Sequence, residues 1–334
     1  MTGQIGASES SEWRIFRGDG DKRNAMIPDA PPWRRFKSDD KDAEDSACAA
    51  GGTESIARKP LYVIGEEEVD VINAALYLRR PLLVTGHPGV GKTSLADAIA
   101  HELDLGEVLR WPVNSRSTRQ DALYRYDAIG RLQESGQPTT EGEIAPGIGR
   151  YIRLGALGTA LVPAKRPRVL LVDELDKGDV DLPNDLLTVF EEGCFEIPEL
   201  SRLPESQQMV EVWTADRGKK ATVRQGFVHC TQFPVVVITS NGERDFPPAF
   251  RRRCLPLHFD DPLKARLEQI ITSHLGEEAL ADVEDLITTF IEERDLKELA
   301  TDQLLNAVFL RRGGARLAPD GLLRTVLHQL NPGG

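Results

Sequence analysis

At 334 residues, the chain is long enough for two domains or for one large core with extensions. Its hydrophobic content of 40% and charged content of 28% are ordinary for a soluble globular protein, and a net charge of −12 argues against a broad nucleic-acid surface. No apolar stretch approaches eighteen residues and the first thirty contain no apolar signal core, so we expect no membrane span, no secretion and a cytoplasmic location. Four widely spaced cysteines without a Cys-x-x-Cys pair give little support to a disulfide framework or a zinc site.

Residues 1–58 are predicted to form a flexible N-terminal tail, because Ser, Gly, Asp, Lys and Pro dominate them and no apolar period is present. Two patches, Trp13–Phe16 and Pro31–Phe36, combine aromatic rings with arginines. Such patches could dock on a partner or a neighbouring subunit, or they could pack on the domain of their own chain.

A nucleotide-binding loop follows a predicted helix over 66–78. The apolar run 82–85 predicts a buried strand, and the spacing of apolar residues over 94–103 predicts a helix. Between them the chain matches the phosphate-cradling pattern G-x-x-x-x-G-K-[ST], in which glycines let backbone N–H groups surround phosphate oxygens. Lys92 is expected to place a cation on the outer phosphates, and Thr93 to offer a hydroxyl to Mg²⁺. The predicted nucleotide-binding set is Gly86, His87, Pro88, Gly89, Val90, Gly91, Lys92, Thr93 and Ser94.

The next stretch is predicted to hold a strand over 108–113 and the opening of a helix within 114–127. The turn-rich segment 128–146 reads as an insertion, with a hairpin expected, before helix resumes over 149–161.

A second chemical landmark is the strand predicted over 169–172, whose four apolar residues indicate burial on both faces. Two acids follow at its carboxyl end, where open α/β sheets bind ligands. We expect Asp173 to hold Mg²⁺ opposite Thr93, and Glu174 to orient or deprotonate the water that attacks the γ-phosphate. A helix is predicted over 182–192.

Segment 195–233 alternates apolar and polar residues around Asp216–Gly218 and predicts an antiparallel hairpin that leaves the main sheet. The buried strand predicted over 234–241 ends in Asn241, which could position the attacking water. Arginines 251–253 then precede a strand over 255–259, and one of them is a candidate arginine finger for a neighbouring subunit. Helical spacing over 263–275, 279–293, 301–312 and 320–330 predicts an all-α end.

Together these motifs resemble those of the AAA+ ATPases, and within them the MoxR-type ATPases of the helix-2-insert clade. The resemblance rests on Gly86–Thr93 as Walker A, Leu170–Glu174 as Walker B, Ile238–Asn241 as the sensor-1 strand and Phe250–Cys254 as the arginine-finger segment. The insertions 128–146 and 195–233 look like the helix-2 insert and the pre-sensor-1 hairpin.

The resemblance implies an α/β P-loop NTPase domain over residues 59–260, with a parallel sheet sandwiched between helices, and a small all-α lid domain over 261–334. It implies ATP and Mg²⁺ as cofactors, Thr93 and Asp173 as metal ligands, and a hexameric ring. The catalytic set that it implies is Glu174, Asn241 and Arg253, with Arg252 as the second choice for the finger. One departure is that Asp302 or Gln303 stands where the family has a sensor-2 arginine.

The leading functional hypothesis is a ring-forming, chaperone-like ATPase that remodels or regulates a partner protein, with each active site shared between subunits. The patch Pro31–Phe36 resembles the tails of MoxR-type proteins that work beside a von Willebrand factor A-domain partner. The alternatives are a nucleic-acid motor or loader, for which Arg217, Lys219, Lys220 and Arg224 would supply charge, and a nucleotide-gated scaffold with slow turnover.

Overall fold

A computed structural model describes residues 13–31, 34, 64–135, 147–262, 264–281, 283–297, 299–315 and 321–327. Within these ranges no helix has both the length and the apolar character that crossing a membrane requires. The strands are β1 (Leu82–Gly86), β2 (Leu109–Pro112), β3 (Tyr124–Tyr126), β4 (Ile152–Leu154), β5 (Val169–Asp173), β6 (Cys194–Glu196), β7 (Met209–Trp213), β8 (Lys220–Arg224), β9 (Phe227–His229), β10 (Val235–Ser240) and β11 (Leu255–Phe259). The helices are α1 (Glu66–Leu78), α2 (Lys92–Glu102), α3 (Arg119–Leu123), α4 (Ala128–Ser135), α5 (Ala156–Ala160), α6 (Leu182–Glu192), α7 (Pro198–Ser201), α8 (Pro248–Arg251), α9 (Lys264–Leu275), α10 (Glu284–Lys297), α11 (Thr301–Arg312) and α12 (Leu322–Val326).

The main sheet has five parallel strands in the order β11-β1-β10-β5-β2. Its two faces are covered by different helices because successive strand residues point to opposite sides. Leu82 and Val84 pack with α1 and α2, whereas Leu83 packs with α5 and α6. The predicted α/β fold, a parallel sheet sandwiched between helices, is confirmed.

A second sheet has six strands in the order β3-β4-β7-β8-β9-β6 and is mainly antiparallel. It contains the predicted hairpin: β7 and β8 pair from Met209↔Arg224 to Trp213↔Lys220, around the turn at Asp216–Gly218. One face of this sheet adds Val212, Val223 and Leu154 to the core that also holds the main sheet. No helix or strand of the described residues covers the other face.

The stretch between β2 and β5 differs from the prediction. Helix within 114–127 is limited to the five residues of α3, and the helix expected over 149–161 is wrong for its first half. A short 3-10 turn over Ile148–Tyr151 and strand β4 occupy that half, because β4 pairs with β3. Gly155 comes directly after β4 and lies close to the backbone carbonyls of Asp121 and Ala122. The helix begins after it, at Ala156.

The insertion 128–146 begins as helix α4, not as the expected hairpin strand. Asp127 accepts the N–H of Gly130 through its side chain at 2.8 Å, which supports the start of a helix. Residues 136–146, the rest of this insertion, lie outside the described residues.

An N-terminal segment (residues 13–31) lies against the α/β domain, where the sequence predicted a tail. Phe16 is fully buried in the core formed with α1 and α2. Asn73 of α1 accepts the N–H groups of Ile15 and Phe16 at 2.8 and 3.0 Å and donates to the Phe16 carbonyl at 2.7 Å. The patch Trp13–Phe16 therefore packs on its own domain; of the patch Pro31–Phe36, only Pro31 and Arg34 are described.

Helices α9–α12 form a third core of their own, which includes Ile271, Phe290, Leu304 and Leu323. This is the predicted all-α unit that follows the α/β domain. The proposed boundaries at residues 58 and 260 stay predictions.

Candidate active site

The phosphate loop joins β1 at Gly86 to α2 at Lys92, in the middle of the main sheet. Gly91 precedes the helix with φ of 96°, in the left-handed region that favours glycine. The first N–H groups of α2 have no partner within the helix and point into the loop, which is the arrangement that binds phosphate.

Lys92 closes this loop. Its Nζ donates to the carbonyls of Gly86 and His87 at 2.7 and 2.8 Å, and the residue is buried. Burial lowers the pKa of Lys92, while the charges of Asp176, Glu174 and Asp173 oppose that shift. The ammonium thus lies at the loop mouth on two carbonyls, from which it can turn to phosphate oxygens.

Thr93 and Asp173 come together as the sequence predicted. The Thr93 hydroxyl donates to Oδ1 of Asp173 at 3.1 Å, and Thr239 of β10 donates to the same oxygen at 2.7 Å. Hydroxyl and carboxylate oxygens suit Mg²⁺, which in such sites takes one or two protein ligands and completes its shell with phosphate and water. No cluster of three or more His, Cys, Asp or Glu side chains suited to a metal occurs in the described part of the chain. The hydroxyl of Thr93 and the carboxylate of Asp173 thus fit a Mg²⁺ ion that nucleotide phosphates would also hold.

Glu174 follows β5 in a left-handed conformation with φ of 57°, which is uncommon for a residue other than glycine. Its N–H donates to the Thr239 hydroxyl at 2.8 Å. The side-chain amide of Asn241 donates to Oε1 at 3.1 Å, and Lys177 donates to Oε2 at 2.7 Å. The structure thus brings Glu174 and Asn241 together, with both carboxylate oxygens of Glu174 engaged.

Asp176 is a part of the site that sequence reasoning missed. It is 3% exposed, and its Oδ2 accepts the backbone N–H groups of Asn241 and Glu243 at 3.0 and 3.1 Å. Its Oδ1 is buried without a hydrogen-bond partner among the described residues. The run Asp173-Glu-Leu-Asp-Lys177 was the available signal, because it places a third acid and a lysine directly after the strand.

The arginine segment lies apart from the phosphate loop. β1 and β11 are parallel and paired from Leu82↔Leu255 to Gly86↔Phe259, so arginines 251–253 precede the end of β11 that is remote from the loop. A five-residue strand places the two ends roughly 16 Å apart. The structure does not bring Arg252 or Arg253 to the phosphate loop of their own chain.

The three arginines differ in their partners. Arg253 forms an ion pair with Glu191 of α6 and donates to the Ala249 carbonyl at 3.1 Å. The side chains of Arg251 and Arg252 are exposed and make no ion pair within the described ranges.

The all-α unit meets the phosphate loop at two places. Gly89 lies so close to the start of α11 that a Cβ on it would be 2.5 Å from Cβ of Ala300. His87 contacts Asp261 at 2.9 Å, and Asp261 lies 3.8 Å from Arg294 of α10. His87, a member of the predicted nucleotide-binding set, thus touches the linker between the two units.

The position expected for a sensor-2 arginine carries no cation. Gln303 is buried, and its side-chain oxygen accepts the Ala300 N–H at 3.0 Å in a capping box, while Asp302 is exposed. Any lid response to the γ-phosphate therefore uses other groups.

Comparison with known proteins identifies the class. Residues 81–254, slightly more than half of the chain, match the family model described as AAA domain (dynein-related subfamily). The chain belongs to this family of AAA+ ATPases, whose members in general bind and hydrolyse ATP.

Part of the chain is also similar to the chaperone protein ClpB. Identity is 34% over 119 residues with ClpB of Chlamydia caviae and of Chlamydia pneumoniae, and 33% over 119 residues with ClpB of Chlamydia trachomatis serovar D. Each match covers 34% of this chain and only 12% of the length of ClpB.

Proposed function

We propose that the chain is a MoxR-type ATPase that hydrolyses ATP with Mg²⁺ to remodel or regulate a partner protein in the cytoplasm. It works as a ring, with six subunits expected, and each active site is shared between neighbours. The similarity to a ClpB chaperone supports remodelling of a protein. A von Willebrand factor A-domain protein is the partner class that the MoxR resemblance suggests.

The observation that carries the proposal is the parallel register of β1 and β11. It separates the arginine segment from the phosphate loop of the same chain by the length of a strand. If one of arginines 251–253 is to stabilise charge on the γ-phosphate, it must therefore act on the phosphate loop of another subunit. Hydrolysis then depends on assembly.

The proposed mechanism assigns one role to each group. Lys92 and the N–H groups at the start of α2 bind the phosphates, and Thr93 with Asp173 holds Mg²⁺, which neutralises charge on the phosphate oxygens. Glu174 takes or orients a proton of the attacking water, and Asn241 orients Glu174 and that water. A neighbour's arginine stabilises the negative charge that develops on the transferred phosphoryl group.

Mixing two inactive variants tests the shared site. Lys92→Ala and Arg253→Ala are each expected to lose ATP hydrolysis, because one lacks the phosphate-loop cation and the other the finger. An equal mixture of the two restores about a quarter of the wild-type rate, since half of the subunits offer an intact loop and half of the neighbours an intact arginine. Glu174→Gln mixed with Lys92→Ala is the control. This mixture is expected to stay inactive, because no subunit in it has both an intact phosphate loop and an intact Glu174. The proposal is contradicted if the mixture of Lys92→Ala and Arg253→Ala stays inactive while wild type hydrolyses ATP at the same rate per subunit at every dilution.

The identity of the finger needs a separate comparison. Arg253 must leave Glu191 to reach a neighbour, whereas Arg251 and Arg252 have no ion pair to break among the residues that the structure describes. Alanine variants at the three positions are therefore measured alone and mixed with Lys92→Ala. The finger is the arginine whose alanine variant is inactive alone and regains hydrolysis in the mixture.

A slow, nucleotide-gated scaffold is the second candidate. It is favoured by the engagement of both Glu174 oxygens and by the lack of a cation at residues 299–305. A low turnover at protein concentrations that saturate assembly would support it. A nucleic-acid motor has less support, because Lys220, one of its four candidate cations, lies 3.4 Å from Glu211.

A further inference from the structure

A row of four side chains crosses the open face of the second sheet. Strand register pairs Arg125 with Arg153, Arg153 with Trp213, and Trp213 with Lys220. Directly paired residues point to the same side of a sheet, so the four form one continuous row. The three cationic residues are exposed, and Trp213 is half-buried between them.

The centre of this row, Arg153, carries a positive charge that has no carboxylate partner among the described residues. Arg125 and Arg153 lie directly opposite each other, an arrangement of like charges that destabilises a strand pair. Arg125 donates to Asp121 at 3.2 Å. Arg153 donates to the Thr214 carbonyl at 3.2 Å and lies 5.8 Å from the centre of the Trp213 ring. No carboxylate pairs with Arg153 in the part of the chain that the structure describes, so an anion placed between the two arginines would relieve their repulsion.

A groove of about 400 Å³ opens beside the row, between strands β3 and β4 and helix α4. Two acids on its wall are already engaged. Asp127 accepts the Gly130 N–H at the start of α4, and Glu134 accepts the Tyr151 hydroxyl at 2.6 Å and lies 3.8 Å from Arg150. Arg153 is thus the arginine of this wall that has no carboxylate partner among the described residues.

Apolar surface adjoins the groove. Ile129 and Leu132, three positions apart on α4, are 71% and 77% exposed. The Trp213 ring adds a flat apolar surface beside Arg153. A ligand that fits must therefore offer both a negative charge and an apolar side chain.

We propose that this groove binds an acidic peptide segment of a partner protein, with a carboxylate between Arg125 and Arg153 and an apolar side chain against Trp213 or α4. A continuous phosphate chain fits less well, because it would carry negative charge along the row past Glu211, which faces the same side beside Lys220. The inference rests on the proposed function only in treating the ligand as the partner. It adds the chemistry by which that partner is recognised.

The test measures binding without hydrolysis. A short fluorescein-labelled peptide rich in Glu and Leu is titrated with the nucleotide-free full chain, and fluorescence anisotropy gives the dissociation constant at low and high salt. Arg153→Ala is expected to weaken binding about tenfold, as loss of a charge-assisted hydrogen bond to a carboxylate does. Lys220→Ala is expected to weaken it less, because Lys220 already has Glu211. Arg119→Ala removes an exposed arginine of α3 outside the groove and is the matched control, with no change expected.

Three results would overturn the inference: no binding of the acidic peptide, equal binding by wild type and Arg153→Ala, or tighter Arg153-dependent binding of a single-stranded oligonucleotide of equal charge. A peptide with Lys in place of Glu must not compete. Since no ATP is present, a negative result leaves the shared-site ATPase untouched. A failed subunit-mixing experiment likewise leaves peptide binding standing.

Discussion

Asp176 links two parts of the active site that are separate in the sequence. Its carboxylate follows β5, and through one oxygen it holds the N–H groups of Asn241 and Glu243, which follow β10. Asn241 in turn holds Glu174. We therefore expect Asp176 to be a positioning residue that acts on the reaction through Asn241.

Replacement of Asp176 tests this role. Asp176→Ala leaves two backbone N–H groups without their acceptor and is expected to cost about 2–4 kcal/mol of unfolding free energy, measured by urea unfolding. Asp176→Asn keeps one acceptor oxygen and is expected to remain folded, with a kcat lowered about tenfold and an unchanged affinity for a fluorescent ATP analogue.

A double-mutant cycle with Asn241→Ala separates positioning from simple stability. If Asp176 acts through Asn241, Asp176→Asn changes kcat little in the Asn241→Ala background. Independent, multiplying losses of kcat would show that the two residues work separately.

Lys177 holds the other oxygen of Glu174. This hydrogen bond raises the pKa of Lys177, so the ion pair persists well above neutral pH. Both side chains are about 40% exposed, and such a pair is worth only ~0.2–1 kcal/mol. Lys177→Met frees the Glu174 carboxylate from this ion pair. If the energy of the pair is then no longer lost in the transition state, kcat in saturating ATP is expected to rise about two- to fivefold. Lys177→Arg keeps a cation and should behave as wild type; a lower kcat in Lys177→Met would show instead that Lys177 assists the reaction.

At the scale of elements, one buried amide of α1 holds the N-terminal segment at Ile15 and Phe16. Asn73→Ala removes the partners of the Ile15 and Phe16 N–H groups and of the Phe16 carbonyl, and is expected to cost about 2–4 kcal/mol of unfolding free energy. Limited proteolysis within residues 13–31 should speed up in parallel, because the segment loses its anchor. Asn306→Ala on the exposed side of α11 is the matched control, with a change below about 0.5 kcal/mol. Equal unfolding midpoints for Asn73→Ala and wild type would contradict the anchoring role.

Elements with one strong local pattern were predictable. Helices α1 and α6 have the predicted bounds, and so does the edge strand β11. Strands β1, β5 and β10 lie within a residue or so of theirs, because burial on both faces leaves an apolar run that is typical of a central strand. The phosphate loop and the two acids after β5 were also predictable, because their residues lie close together in the sequence.

Elements defined by pairing across the chain were not predictable. Strands β3 and β4 have three residues each and exist because they pair with one another across a long insertion. The docking of Phe16 depends on Asn73 and that of Arg17 on Glu102, partners that local periodicity cannot identify. Within the site, Asp176 escaped notice because its partners are backbone groups 65 and 67 positions away.

At the scale of the whole molecule, Asp261 connects the phosphate loop to the all-α unit through His87 and Arg294. Asp261→Ala is expected to weaken this connection and raise the Kd for ATP about two- to fivefold, with a smaller thermal shift on nucleotide addition. His87→Ala should give a similar change, and the double variant should add little to it. If the two effects on Kd are fully additive, or if Kd is unchanged in both variants, His87 and Asp261 do not act on ATP binding through their shared contact.

Burial of the N-terminal segment also has a consequence for biosynthesis. Arg17 donates its N–H to Glu102, 85 positions further along, and Phe16 enters a core made by α1 and α2. Ribosomes add about 5–20 residues per second, so on the order of ten seconds pass between the emergence of this segment and that of its docking surface. During that interval Ile15 and Phe16 have no core to enter, and a nascent-chain chaperone that covers them would prevent premature association. The segment is thus secured only after a partner that is translated 85 residues later has emerged.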